Sequence, residues 1–186
     1  MPNKVNELQP FGLPVSLSEA GALMAVPDAV ASSGARLRLV PKPSALDAAL
    51  NAASAGRWKT SRYMIGRVVY CKLSIYDATC EMWIERDAPD GGQYRTVLTD
   101  SAKAEEAGSL YNAMLRFGFF ADLEAMPLMA FGANQVHIEP MAQGQRVTGY
   151  RLAARLAVAD VQHGPGRQII KVVLKDPNGG EIIWAR

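Results

Sequence analysis

Apolar and polar residues alternate along the stretch from Arg62 to Tyr76. Tyr63, Ile65, Val69, Cys71, Leu73 and Ile75 share one parity, and Arg62, Lys72, Ser74 and Tyr76 share the other. Period-two alternation marks a half-buried strand. Gly66 and Arg67 interrupt the pattern, which predicts a bulge within one long strand. The alternation resumes over Thr79–Arg86. A two-residue loop at Asp77-Ala78 sets Ile75 opposite Cys80, Leu73 opposite Met82 and Cys71 opposite Ile84, all on the apolar face. Lys72 then faces Trp83 on the other. A one-residue slip would mix the faces, so this register is the expected one.

The remaining pattern yields an α+β fold. Residues 1–34 carry Pro2, Pro10, Pro14 and Pro27 and read as an irregular arm with at most one helical turn near Leu17–Met24. Residues 35–186 read as a single α+β domain. Arg36–Val40 alternates as a short strand. Ser44 is the expected cap of a helix over Ala45–Ala55, with Leu46, Ala49, Leu50 and Ala53 on one face and Gly56 as its stop. Tyr94–Thr99 reads as a strand. Asp100 or Ser101 caps a second helix with a buried stripe of Ala107, Leu110, Tyr111, Met114 and Gly118. Val136–Glu139, Arg146–Val161, Arg167–Lys175 and Glu181–Trp184 follow as strands, although Arg151–Ala159 also fits a helix. Asn178-Gly179 is a strong hairpin signal. The expectation is antiparallel meanders of about seven to eight strands with two main helices. Counted as eight strands split by a helix, that element order is loosely similar to whirly-type single-stranded-DNA-binding proteins. The similarity is of order alone and transfers no residue.

Charge changes this picture locally. The 186-residue chain has a net charge of only +2 and is 49% hydrophobic, an ordinary globular balance. Yet residues 57–76 hold Arg57, Lys59, Arg62, Arg67 and Lys72 with no acid, while residues 77–90 hold Asp77, Glu81, Glu85, Asp87 and Asp90 against Arg86. A useful field would therefore be local. No 18-residue uncharged apolar run occurs, which argues against a membrane helix. Cys71 and Cys80 have neither a metal-ligand spacing nor facing positions in the expected register, so neither a metal nor a disulfide is expected, and few cysteines point to the cytoplasm.

The candidate chemistry is binding. Arg57, Trp58, Lys59, Arg62 and Arg67 form a cationic set with an aromatic among it, suited to phosphate and base. The plain alternative is that these cations blunt a strand edge. Arg146, Arg151, Arg155, Arg167, Lys171 and Lys175 make a second basic set, expected as a wet strand face. Phe119, Phe120, Met126, Met129 and Phe131 form an apolar segment that is either core or a protein-docking surface. His137 with Glu139 lacks a partnered nucleophile, and GxGxxG, GxxxxGK[ST], HExxH and GxSxG motifs are absent. The expected function is a non-catalytic, cofactor-free binding protein, with single-stranded nucleic acid as the first partner class. The alternative is a protein-interaction module or an inhibitor of a larger complex, of the accessory kind that mobile elements encode. Self-association through open sheet edges is a further candidate.

Overall fold

The computed structural model of the chain describes residues 18–186. Residues 1–17 of the expected arm lie outside them. The described residues contain eleven strands in four small antiparallel sheets, with three α-helices. The α+β class stands, with more strands than the seven to eight expected. Contacts divide the chain into two compact units, one containing Lys42–Glu124 and the other combining Ser18–Pro41 with Ala125–Arg186.

In the Lys42–Glu124 unit, α1 spans Pro43–Ser54. Its N-cap is Lys42, not Ser44, and Pro43 occupies the first helical turn, where its missing N–H costs nothing. Leu46 and Leu50 are buried, and Ala55 adopts the left-handed conformation that ends the helix. Three strands follow: β3 (Trp58–Ile65), β4 (Val68–Asp77) and β5 (Met82–Pro89), in the order β3-β4-β5. Helix α2 (Ser101–Leu115) packs on β4 and β5. Asp100 caps it as expected, its Oδ1 accepting from the Ala102 and Lys103 amides. Ala107, Leu110, Tyr111 and Met114 are buried against the sheet together with Cys71, Leu73, Ile75 and Ala88. A short α3 (Ala121–Glu124) closes the unit.

The expected bulge at Gly66 is instead a hairpin turn. Ile65 pairs with Val68 across a two-residue Gly66-Arg67 loop, and Gly66 has φ +62°, which only glycine adopts freely at the first loop position. The β4–β5 register also differs: Ile75 pairs with Ile84, Leu73 with Arg86 and Cys71 with Ala88. The slide relative to expectation is four residues. Because four is even, each side chain keeps the face assigned to it. The slide arises because Asp77 starts its own turn, accepting from the Thr79 amide at 2.7 Å and lengthening the loop. Tyr94–Thr99 is a turn, not a strand. The Val97 and Leu98 amides donate to the Tyr94 carbonyl, and Tyr94 and Val97 are buried as anchors.

In the second unit, residues 18–34 of the expected irregular arm are mostly regular structure. A 3-10 turn at Ala20–Ala22 leads into β1 (Leu23–Ala31), which pairs along β2 (Gly34–Pro41) with a bulge between Pro27 and Ala29. The bulge accommodates a proline, which has no amide to donate to the ladder. β6 (Met129–Gly132) joins the other edge of β2. β7 (Ile138–Gln143) and β8 (Arg146–Leu152) form a hairpin. β9 (Ala157–His163), β10 (Ile169–Lys175) and β11 (Glu181–Ala185) form a meander. The alternative helix over Arg151–Ala159 is absent; that segment is the end of β8, a short connection and the start of β9. The Asn178-Gly179 turn is present, with Gly179 at φ +96° and the Asp176 amide donating to the Gly180 carbonyl.

Candidate functional site

The β3–β4 reversal decides which side chains share a face. In a two-residue hairpin, facing residues have opposite parity. Odd residues of β3 therefore lie beside even residues of β4 and odd residues of β5. One face of the sheet carries Lys59, Ser61, Tyr63 and Ile65, then Tyr70, Lys72, Ser74 and Tyr76, then Trp83, Glu85 and Asp87. The opposite face, with Cys71, Leu73 and Ile75, is the one buried in the core.

Two cross-strand aromatic pairs mark the ends of the open face. Tyr63 and Tyr70 stack with ring centres 5.3 Å apart. Tyr76 and Trp83 meet edge to face at 5.5 Å. The cations lie on these rings: the Arg57 guanidinium is 5.2 Å from the centre of Tyr76, and the Lys59 ammonium is 4.4 Å from that of Trp83. Between the pairs, Lys72 meets Glu85 at 3.4 Å and Ser74 donates to Glu85 at 3.0 Å. Tyr63 donates to Asp87 at 2.7 Å, and that hydrogen bond holds the Tyr63 phenol above its ordinary pKa. Three cations, Arg57, Lys59 and Lys72, thus stand against two carboxylates, with Trp83 43% exposed. Lys59, not Lys72, takes the place over Trp83, a consequence of the register slide.

The five residues expected to bind nucleic acid separate. Arg57 and Lys59 belong to the open face. Trp58 and Arg62 lie on the opposite face, where the Trp58 indole donates to Asn51 of α1 at 2.8 Å and Arg62 pairs with Glu106 of α2 at 3.7 Å. Arg67 is in the exposed hairpin turn. The aromatic residues of the face, Tyr63, Tyr70, Tyr76 and Trp83, lie outside the expected set. The signal that would have found them is Gly66-Arg67 read as a two-residue Gly-X loop.

The apolar segment also separates. Met129 and Phe131 are fully or nearly fully buried, on the strand that pairs with β2. Phe119, Phe120 and Met126 are half-buried, with Phe120 tilted against Tyr111. Of the C-terminal basic set, Arg151 pairs with Glu139 at 3.0 Å and Lys175 with Glu181 at 3.7 Å, as a wet strand face requires. Glu139 is thereby turned to a cross-strand partner. His137 instead lines an open cleft of about 630 Å³ with Tyr150, Asp176 and Glu181.

These features define an α+β protein with an open aromatic and cationic sheet face. Comparison with protein-family models, curated proteins and solved structures finds no match to the chain. Among the described residues, no helix is long and apolar enough to cross a membrane.

Proposed function

We propose that the chain is a non-catalytic binding protein that holds single-stranded nucleic acid on the open face of the β3-β4-β5 sheet. The observation that supports this reading is the pairing of cations with rings of the open face, Lys59 on exposed Trp83 and Arg57 on half-buried Tyr76. Exposed rings give bases a stacking platform, and adjacent cations neutralise the backbone. From Tyr70 to Tyr76 along β4 is about 20 Å at the rise of a strand, enough for several nucleotides. Glu85 and Asp87 repel phosphate at the centre, so the backbone runs by Arg57 and Lys59 while bases meet the rings.

The test is fluorescence anisotropy of a labelled 15-mer single strand with purified protein at low and moderate salt. Binding in the micromolar range that weakens as salt rises supports the reading. Absence of binding at low salt overturns it.

A second reading is protein interaction, and one observation favours it. The tip of the β3–β4 hairpin exposes Met64 at 64%, Ile65 at 57% and Val68 at 42%. Contiguous exposed apolar side chains mark contact surfaces. Partner capture that survives high salt and fails with Ile65→Asp would establish this reading in place of the first.

A further inference from the structure

A pocket lies on the helix side of the sheet, at the end where Arg57 and Tyr76 stand. Its volume is about 240 Å³, just under the ~300–1,000 Å³ of clefts that take drug-sized ligands. Tyr76 and Arg57 belong to both the pocket and the face, whereas Ile75, Asp77 and Ile84 have the parity of the helix side, so a strand lying on the rings turns over the end of the sheet to enter it. Ile75, Ile84 and Phe117 contribute apolar surface, which suits the flat faces of a single heterocycle.

Beside the Arg57 guanidinium and the hydroxyls of Ser54, Tyr76 and Thr79, the pocket offers two sets of acceptors. Ala52, Ala53 and Ser54 bring the last turn of α1, whose carbonyl groups point out of the helix and give it a partial negative charge. Asp77 brings a carboxylate. Its Oδ1 accepts from the Thr79 amide at 2.7 Å, and this hydrogen bond, with further ones from Cys80 and the Thr79 side chain, keeps the carboxyl below its ordinary pKa, so it is ionised at neutral pH and has only its remaining lone pairs for a ligand. An ionised carboxylate accepts through two oxygens and donates through none.

Building on the proposed nucleic-acid function, the geometry points to a guanine pocket at the end of the α1 helix, with Asp77 as the specificity-determining residue. Guanine carries two adjacent donors on its pairing edge, N1–H and the 2-amino group, which match the two oxygens of a carboxylate. Adenine and cytosine set an acceptor beside their exocyclic amine. Thymine has one donor between two carbonyls. Each of those three would turn an acceptor towards Asp77. Arg57 at the pocket neutralises the phosphate of the inserted nucleotide.

The experiment compares anisotropy titrations of labelled dT15 with dT15 carrying one dG, dA or dC at the 5′ end, the centre or the 3′ end. A single dG tightens binding by about tenfold, the ratio one two-point base contact provides. Inosine, which lacks the 2-amino group, falls between dG and dT. Asp77→Asn, whose amide oxygen still caps the turn, loses the dG preference. Ala53→Leu fills the pocket from the helix and loses it too. Equal affinity for all the oligonucleotides overturns the guanine pocket and leaves the sheet-face function standing. A dA or dC gain equal to that of dG also overturns the assignment. Failure of every oligonucleotide to bind overturns both.

Discussion

The Lys59 ammonium lies 4.4 Å from the centre of the Trp83 ring although the two residues are on the outer strands of the sheet, with β4 between them. Lys59 faces Ser74 on the middle strand and Trp83 faces Tyr76, so the contact runs diagonally across β4, where the Ser74 hydroxyl donates to Glu85. A long cation and a large ring thus meet across the middle strand. Contacts of this kind at exposed sites contribute about 0.5–1 kcal/mol to stability.

Trp83→Ala should therefore cost little in urea unfolding but remove a stacking surface. We expect oligonucleotide affinity to fall by about tenfold or more, from the ~1–3 kcal/mol that one base–aromatic contact supplies. Lys59→Ala should weaken binding and lower the slope of log K against log salt by about one. Both are read by anisotropy over a salt series. Unchanged affinity in Trp83→Ala would remove the sheet face as the site.

Arg62→Ala provides the contrast. Its guanidinium turns to Glu106 on the helix side, an exposed pair of a kind worth about 0–1 kcal/mol. The variant should keep oligonucleotide affinity to within about twofold, apart from a small general electrostatic loss. A tenfold loss would mean that the ligand also uses the helix side.

Gly108 of α2 sits against Asp90, and a Cβ built on the glycine would overlap the Asp90 Oδ1. The Asp90 side chain is only 1% exposed; it accepts from the Gly92 amide at 2.9 Å and from Arg95 at 2.8 Å. Alanine is ordinarily better than glycine in a helix by about 1 kcal/mol. Here Gly108→Ala should instead destabilise by about 1–3 kcal/mol, because the loop must move away from its own hydrogen bonds. Urea denaturation gives the sign directly, and a stabilised variant would refute the close packing.

Cys71 is fully buried, and burial pushes its thiol from 9.0 up to about 11. The folded state therefore retains a proton that the unfolded state releases. The resulting stability is fully present below pH 9.0 and is lost as pH rises towards 11. The loss is on the order of 2 kcal/mol. Buried Tyr94 is raised as well and adds the same sign at higher pH. Cys71→Val should flatten the fall between these limits. In native protein a thiol reagent should modify the exposed Cys80 and spare Cys71, whereas unfolding exposes both.

Local structure was legible wherever a short-range rule decided it. The Leu46–Leu50 spacing, the Asp100 cap, the stripe from Ala107 to Met114 and the Asn178-Gly179 turn all depend on residues within a few positions of each other, and all are present. Periodicity also assigned the faces of β4 and β5, because parity survives a four-residue slide. Two strands, β1 and β6, were not legible. Each satisfies its backbone on β2, a partner distant in sequence for β6, and Pro27 gave β1 the look of a loop.

The candidate site depended on one reversal of the chain. The composition of residues 57–76 determined that cations and aromatic rings would lie close together, and alternation determined that one face would be wet. Only the tertiary structure decided which cations share the wet face. The Gly66-Arg67 turn folds β3 back on β4 and reverses the parity of facing residues. That reversal sends Trp58 and Arg62 to the helices and brings Arg57 and Lys59 onto Tyr76 and Trp83. A period of two records the alternation of side chains along a strand but carries no information about where the chain turns back.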